Sequence, residues 1–294
     1  MRLFRRAWRV QVGSLLVSSS DPADGAALDV KFKIKRTLAQ RAGTCELEIA
    51  GLTESHRHEI ANAPRRTTFV AIDAGYLEGA SRLFTGDLRK AVVSRAGPDW
   101  IVKVTAGDGE HALRSARVSR SFAPGSSLET VVRAIADAMG VGLGNAASAL
   151  RGARFGSGDA TFAEGTLVHG SAATELTRLC DSARLTWSIQ DGVLQVLPLG
   201  GSLARETIRL ASDCGMIESP EYISRRAITV KALLIPGLVP GQQVVVDSGV
   251  IDANRVVAGA TWRITEAEYS GDTAGADWIA ALTCHRPLPP LVTP

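Results

Sequence analysis

Cysteine and histidine are the residue types in this chain that could bind a metal or supply a nucleophile. The two histidines nearest in sequence, His56 and His58, stand two positions apart, and such positions in a helix point to different sides. Structural zinc sites usually have paired ligands at short spacing, and no two cysteines here are close together. The sequence therefore predicts no metal site and no cofactor. It predicts buried, reduced thiols at the four cysteines, which are Cys45, Cys180, Cys214 and Cys284.

Three acidic residues are the candidates for acid–base chemistry: Asp99, Asp108 and Glu110. Glycoside hydrolysis needs two carboxylates that face one cleft. These acids are instead predicted in turns, where acids commonly accept hydrogen bonds from the local backbone. Their surroundings also lack the spaced acids of a calcium-binding EF-hand loop. Cys284 and His285 are adjacent on a predicted strand, so their side chains point to opposite faces and do not form a nucleophile–base pair.

Length and composition indicate an ordinary globular protein with several folded parts. The chain has 294 residues, of which 45% are hydrophobic and 21% charged, and its net charge is +3. So small a charge does not predict nucleic-acid binding from bulk electrostatics. No apolar run approaches the ~20 residues of a membrane-spanning helix, so no membrane-spanning segment is expected. The arginine-rich stretch 1–10 is not followed by a long apolar core, so a secretion signal is not expected either.

The clearest strand pattern lies in residues 28–49. Apolar residues alternate with lysines from Leu28 to Lys35, and cysteine, leucine and isoleucine alternate with Glu46 and Glu48. A period of two places one set on each face of a strand, so each strand buries one side and exposes the other. The exposed faces carry opposite charge, so if the two strands are antiparallel neighbours, cross-strand ion pairs between lysine and glutamate add tenths of a kcal/mol each to stability.

Helical signals interrupt the β pattern after residue 122. Ser126 followed by Glu129 matches a capping box, and apolar residues at helical spacing follow it until Gly140. A second helix is predicted from Ser171, and Asp191-Gly192 is the preferred two-residue turn of a hairpin. The β pattern returns from Thr207. The predicted fold class is mainly β with an α+β insert, divided as 1–118, 119–204 (the insert), 205–285 and a C-terminal tail at 286–294.

The positions of the tryptophans indicate whether they pack in the core or bind a ligand at the surface. Aromatic residues make up only 5% of the chain, and its five tryptophans all fall within or beside predicted strands. A glycan-binding or receptor-binding module would expose aromatic residues at loop tips. The pattern therefore predicts buried tryptophans: Trp8, Trp100, Trp187, Trp262 and Trp278.

Three ordered stretches resemble a known family. The first is the strand pair described above, which ends in Gly51-Leu52-Thr53. In the second, Gly75-Tyr76 is followed by Phe84-Thr85-Gly86. The third runs from Pro240-Gly241 through Gly271-Asp272 to Trp278. Together they resemble the baseplate hub proteins of long-tailed bacteriophages, a family that includes the late control protein D type. The family-signature residues, taken as structural, are Gly75, Tyr76, Phe84, Gly86, Pro240, Gly241, Gly271, Asp272 and Trp278.

The resemblance implies two tube-type β-barrel domains with an inserted helix and hairpin domain. It implies a homotrimeric, pseudo-sixfold ring that joins the hexameric tail tube, or a distal tail ring, to the trimeric central spike. Such a ring contacts other baseplate proteins, encloses the channel for genomic DNA and catalyses nothing. Its expected location is the virion tail, with assembly in the bacterial host cytoplasm.

Three alternatives stay open at this point. One is a tail-associated enzyme that degrades peptidoglycan. Another is a tail-tip module that binds a ligand. The third is a tube or distal-tail component, although a tube subunit needs only one barrel and about half this length.

Overall fold

A computed structural model describes residues 5–21, 27–156, 158–235, 237–248 and 261–287. The described residues group into two compact units. The β unit lies within Met1–Arg36, Gly43–Asp108 and Ala204–Arg286, and the insert unit lies within Thr37–Ala42 and Gly109–Leu203 together with Pro287. Of the predicted tail, residues 288–294 lie outside the described residues, as does Gly259 at the start of a predicted strand.

Long strands dominate the described part of the first segment. Its strands are β1 (Arg6–Val12), β2 (Leu15–Ser18), β3 (Asp29–Thr37), β4 (Gly43–Ala50), β5 (Phe69–Tyr76), β6 (Ser81–Ala96) and β7 (Asp99–Asp108). Helix α1 (Glu54–Asn62) lies between β4 and β5. The Thr53 hydroxyl accepts a hydrogen bond from the backbone N–H of His56 and so caps the helix.

Shorter elements make up the insert unit. Its helices are α2 (Glu110–Arg114), α3 (Leu128–Met139), α4 (Ala146–Arg151) and α5 (Ala172–Ser182). Its strands are β8 (Arg117–Phe122), β9 (Ser126–Ser127), β10 (Arg154–Phe155), β11 (Gly158–Asp159), β12 (Thr161–Phe162), β13 (Thr166–Ser171), β14 (Leu185–Gln190) and β15 (Val193–Pro198).

The capping residue of α3 lies one position later than predicted. Ser127, not Ser126, accepts from the backbone N–H of Thr130 at 3.2 Å, and Glu129 forms an ion pair with Arg133 instead of returning to the cap. The predicted hairpin is confirmed, since β14 and β15 are antiparallel and both residues of the Asp191-Gly192 turn have positive φ.

The last segment returns to the β unit. Its strands are β16 (Ile208–Leu210), β17 (Glu221–Ser224), β18 (Ala227–Leu233), β19 (Gln243–Val246), β20 (Thr261–Asp272) and β21 (Trp278–His285). They join the strands of the first segment in one 13-stranded sheet, whose main path is β17-β18-β21-β20-β3-β4-β7-β6-β5-β1-β2. The mainly β fold class with an α+β insert is thereby confirmed, while the division into two barrel domains stays a prediction.

Strand β20 is the branch point of this sheet. It pairs with β21, with β3 and, at Thr261–Arg263, with β19, which in turn pairs with β16. A strand has only two hydrogen-bonding edges, so β3 and β19 share one edge of β20 along its length. The β20–β21 hairpin is therefore common to the strands of the first segment and to those of the last.

The strands β3 and β4 confirm the alternating pattern, but their charged side chains choose other partners. Both strands bury every second residue, and they pair antiparallel with Lys31 opposite Glu48 and Lys33 opposite Glu46. Nevertheless Lys33 binds Glu268 of β20 at 2.7 Å, and Glu48 binds Lys103 of β7 at 2.6 Å. The closest ionic partners therefore lie on β20 and β7, because each strand has a second charged neighbour on its other side. The opposed Glu48 and Glu46 add a weaker electrostatic attraction to Lys31 and Lys33.

Two local predictions around β7 also need correction. Asp108 is not in an exposed turn: it is the last residue of β7 and is 3% exposed, and Glu110 begins helix α2. Trp100 is 43% exposed, whereas the other four tryptophans are at most 6% exposed. The β propensity of the surrounding residues predicts the strand β7. It does not predict that the first residues of this strand are exposed, because their exposure depends on where the neighbouring strands end.

Candidate functional site

Trp278 is the centre of a cluster that joins strands of the first and last segments of the β unit. Its side chain is 2% exposed, and its indole Nε1 donates a hydrogen bond to the backbone oxygen of Gly75, 3.0 Å away. Its ring packs edge-on against Phe32 of β3, with 5.5 Å between ring centroids. We call this cluster the seam and define it as Arg6, Lys31, Phe32, Gly75, Gly271, Asp272 and Trp278.

Arg6 of β1 closes the seam from the other side. Its guanidinium carbon lies 5.3 Å from the centroid of the Trp278 ring, within the range of a cation–π contact. Its nitrogens also donate to the backbone oxygens of Asp272 and Gly275, each at 2.6 Å, and of Ala276 at 2.9 Å. One arginine thus satisfies three carbonyl groups of the β20–β21 turn, which fixes that turn against β1.

Gly271 and Asp272 shape the same turn. A Cβ atom at Gly271 would lie 2.2 Å from the ring of Phe32, so a side chain has no room there. The Asp272 carboxylate accepts hydrogen bonds from the backbone N–H groups of Ala274 at 3.0 Å and Gly275 at 2.7 Å, and it binds the Lys31 ammonium at 3.0 Å. Glycine is required here for close packing, and aspartate is required to order the turn.

A row of charges continues the seam along the exposed face of β3 and β20. Glu268 accepts from Lys33 at 2.7 Å and from Lys35 at 3.0 Å. Burial raises the pKa of Glu268, but the hydrogen bonds from both lysines outweigh it and hold that pKa below its ordinary value of 4.5. Asp272 behaves in the same way: burial is outweighed by Lys31 and by two backbone N–H groups, so its pKa also falls.

These shifts predict acid sensitivity of the seam. A carboxyl group whose pKa is lower in the folded state contributes stability above its unfolded pKa, and this contribution is lost as the pH falls through the folded pKa. We therefore expect Glu268→Gln to reduce the free energy of unfolding by up to about 1 kcal/mol at pH 7, because the pair is largely exposed. The difference from the unmodified protein, measured by urea unfolding, should shrink progressively as the pH falls below 4.5, the ordinary pKa of this group.

Glu164→Gln serves as the control for this measurement, because the Glu164 side chain lies exposed in a turn of the insert unit. It should change the unfolding free energy little across the same pH range. A Glu268→Gln deficit that persists unchanged at low pH would contradict the assigned role of the charge.

The remaining family-signature residues lie elsewhere in the β unit. Tyr76 and Phe84 are buried in its core, and a Cβ atom at Gly86 would lie 2.5 Å from the backbone oxygen of Gly107. Pro240 is buried, and Gly241 has φ of +91° and donates to the backbone oxygen of Ile264 at 2.8 Å. The structure thus brings together Gly75, Gly271, Asp272 and Trp278.

The partners of these residues in the seam were missed by sequence reasoning. Arg6 and its acceptors stand at least 266 positions apart, so no local pattern connects them.

Two of the acidic candidates lie far apart, and the candidate thiol is buried. Asp99 and Asp108 stand at opposite ends of β7, about 30 Å apart along a strand, far beyond the separation of paired glycosidase carboxylates. Cys284 is buried, which raises its pKa to about 12, while His285 is exposed. Among the described residues, no group of three His, Cys, Asp or Glu side chains could hold a metal ion.

In the part of the chain that the structure describes, no helix combines the length and apolar character that crossing a bilayer demands.

Several solved structures share this fold. The 43 kDa tail protein of prophage MuSo2 from Shewanella oneidensis is 13% identical, with a TM-score of 0.63 over 96% of this chain and 98% of that one. A tail protein from Neisseria meningitidis MC58 is 11% identical, with a TM-score of 0.62 over 96% of this chain and 97% of that one.

A third similar structure comes from a secretion system. The Escherichia coli c3393 protein is described as a component of the type VI secretion system with structural similarity to the T4 tail proteins gp27 and gp5. It is 11% identical, with a TM-score of 0.60 over 96% of this chain and 77% of that one. Among curated proteins, none matches the sequence.

The sequence of this chain also matches a protein-family model. The model described as baseplate hub gp41 matches residues 10–284. This range includes the whole described sheet except the first four residues of β1 and the last residue of β21. Since the match covers nearly the entire chain, this protein belongs to the baseplate hub gp41 family of phage tail proteins.

Proposed function

We propose that three copies of this chain form a closed ring that joins the hexameric tail tube, or a distal tail ring, to the trimeric central spike. The carrying observation is that strands from both ends of the chain share one sheet around the β20–β21 hairpin. Each copy then contributes two β-rich halves, so three copies present six such halves around the axis. Closed rings of identical chains are the common form of homo-oligomers, and this ring would enclose the channel for genomic DNA.

The domain division belongs to the same proposal. Residues 1–118 and 205–285 form two tube-type β-barrel halves, and residues 119–204 form the α+β insert. Support comes from the branch at β20, where one edge carries β3 of the first half and β19 of the second. The ring assembles in the host cytoplasm and becomes part of the virion baseplate, where it contacts further baseplate proteins.

The role we propose is mechanical and not enzymatic. At the seam, the charged groups of Arg6 and Asp272 bind backbone groups of a turn, and Lys31 binds Asp272. These side chains are engaged in holding strands together, as expected of a part that must stay rigid under load. Membership of a structural hub family supports the same view.

The mass of the assembly tests this proposal. Sedimentation equilibrium of the purified protein should give three times the chain mass of 31.0 kDa, and electron microscopy should show a threefold ring with a central bore. An obligate interface of this kind should bury more than ~2,000 Å². A persistent monomer that lyses purified cell wall in a zymogram would overturn the hub and favour a peptidoglycan-degrading enzyme.

A further inference from the structure

One tryptophan is placed unlike the other four. Trp100 begins β7 and is 43% exposed, and in the β6–β7 hairpin it lies opposite Arg95. The guanidinium of Arg57 in α1 sits 5.2 Å from the centroid of its ring. The ring is therefore held in one orientation while a large part of its surface faces solvent. Tryptophan and arginine are the residues most enriched at the energetic centres of protein interfaces.

The hairpin that carries Trp100 projects beyond the neighbouring strands. On one side, β5 pairs with β6 only as far as Asp87. On the other side, β4 pairs with β7 only from Ile101 onward, opposite Ala50. Within the described residues, the segment 94–100 thus has strand partners only within its own hairpin. We call this segment the hairpin tip; Asp99 is its one carboxylate, and Arg95 and the adjoining Arg57 outnumber it.

A cavity of about 610 Å³ lies in the last segment of the same unit. Cavities of this size accommodate drug-sized molecules, so an indole ring fits. Apolar side chains contribute to its wall, among them Met216 and Ile217, the latter 46% exposed. Three carboxylates also line it, against a single arginine. We call it the acidic cavity; its charged residues are Arg209, Asp213, Glu218 and Asp247.

The carboxylates of the acidic cavity are exposed enough to contact a further cation in addition to their present partners. Arg209 binds Asp213 at 3.2 Å and Asp247 at 2.7 Å, and Glu218 binds Lys231 at 2.8 Å. Even so, the side chains of Asp213, Glu218 and Asp247 are 68%, 56% and 44% exposed. The cavity thus combines an apolar wall with an excess of negative charge, which complements an aromatic ring flanked by arginines.

We propose that the hairpin tip of one copy docks in the acidic cavity of the next copy. This inference rests on the proposed ring and names the contact that closes it. Trp100 enters beside Met216 and Ile217, and Arg95 approaches the carboxylates. Each copy carries both surfaces, and they differ from each other, so the contact is head-to-tail, and such contacts generate rings when the rotation closes.

Substitution at the hairpin tip is the first test. Trp100→Ala should weaken assembly of the full-length protein at least about tenfold in sedimentation velocity, because truncating an interface tryptophan commonly has such an effect. Leu77→Ala is the matched control, since Leu77 is 60% exposed and lies outside both surfaces, and it should leave assembly unchanged. A cooperative melting transition in both variants shows that the chains are folded.

Cross-linking is the second test and uses a native thiol beside the cavity. Cys45, Cys180 and Cys284 are buried, whereas Cys214 is partly exposed and adjoins Asp213 of the acidic cavity. Ala96→Cys on the hairpin tip, treated with a short bis-maleimide, should give covalent dimers and trimers. The additional change Cys214→Ser should abolish them. Leu16→Cys, on the exposed side of β2, should give none.

The outcomes separate this contact from the ring itself. A trimer that survives Trp100→Ala and fails to cross-link from Ala96→Cys to Cys214 overturns the docking contact, leaves the ring intact and assigns the cavity to a different occupant. An unmodified protein that stays monomeric overturns both. Loss of assembly together with the Cys214-dependent cross-link supports both.

Discussion

Trp278→Ala is expected to lower the free energy of unfolding by about 3–5 kcal/mol, the usual range for truncating a buried aromatic side chain. The indole is 2% exposed and contacts three elements at once: Phe32 of β3, Arg6 of β1 and the backbone oxygen of Gly75. Its removal leaves a cavity and an unsatisfied carbonyl group in the same place. Urea unfolding followed by far-ultraviolet circular dichroism measures the loss.

Two matched variants distinguish the effect of the lost hydrogen bond from the effect of the lost buried side chain. Trp278→Phe keeps most of the apolar volume but cannot donate to Gly75, so we expect about 1–3 kcal/mol, the cost of an unpaired buried acceptor. Trp100→Ala removes the same side chain from a position that is 43% exposed, and the isolated chain should lose about 1 kcal/mol or less. If Trp278→Ala proved no more destabilising than Trp100→Ala, the seam would not hold the sheet together.

Gly271→Ala is the second substitution with a large expected effect. The added Cβ atom would lie 2.2 Å from the ring of Phe32, closer than any van der Waals contact permits. Either the ring leaves its packing against Trp278 or β3 separates from β20. Overpacking of this kind costs about 1–3 kcal/mol, which should appear as a lower midpoint in urea unfolding.

A double variant tests the steric explanation. Phe32→Leu makes room at the seam at its own cost, so Gly271→Ala should be less harmful in that background than in the unmodified chain. Gly152→Ala is the control, because a Cβ atom there would have no neighbour closer than 3.9 Å. Additive effects of Phe32→Leu and Gly271→Ala would rule out the clash as the cause.

Local patterns in the sequence predicted much of this fold correctly. The strands β3 and β4 and the hairpin at Asp191-Gly192 each follow from residues close together in the chain. In these cases the alternation of apolar and charged residues, or a turn dipeptide, is a sufficient signal. Gly271 was singled out only through the resemblance to a family and not from its neighbours in the chain.

The seam could not be predicted from those patterns. Alternation states that Lys31, Lys33 and Lys35 are exposed, but it does not state which strand lies beside them, and the answer is β20 and not β4 alone. The tie between Arg6 and the β20–β21 turn has no local signature. The exposure of Trp100 depends on where β4 and β5 end relative to the β6–β7 hairpin, and this is a property of the assembled sheet.

The pairing of β3 with β20 also determines when the sheet can be completed during translation. Strand β3 ends at Thr37, and its partner begins at Thr261. At a synthesis rate of about 5–20 residues per second, one edge of β3 therefore has no partner strand for roughly ten to forty-five seconds. The insert unit, whose strands and helices come from a continuous stretch, is complete before β20 emerges. During that interval the nascent chain presents an unpaired strand edge, and such edges can pair with other chains, so slower synthesis exposes the chain to aggregation for longer.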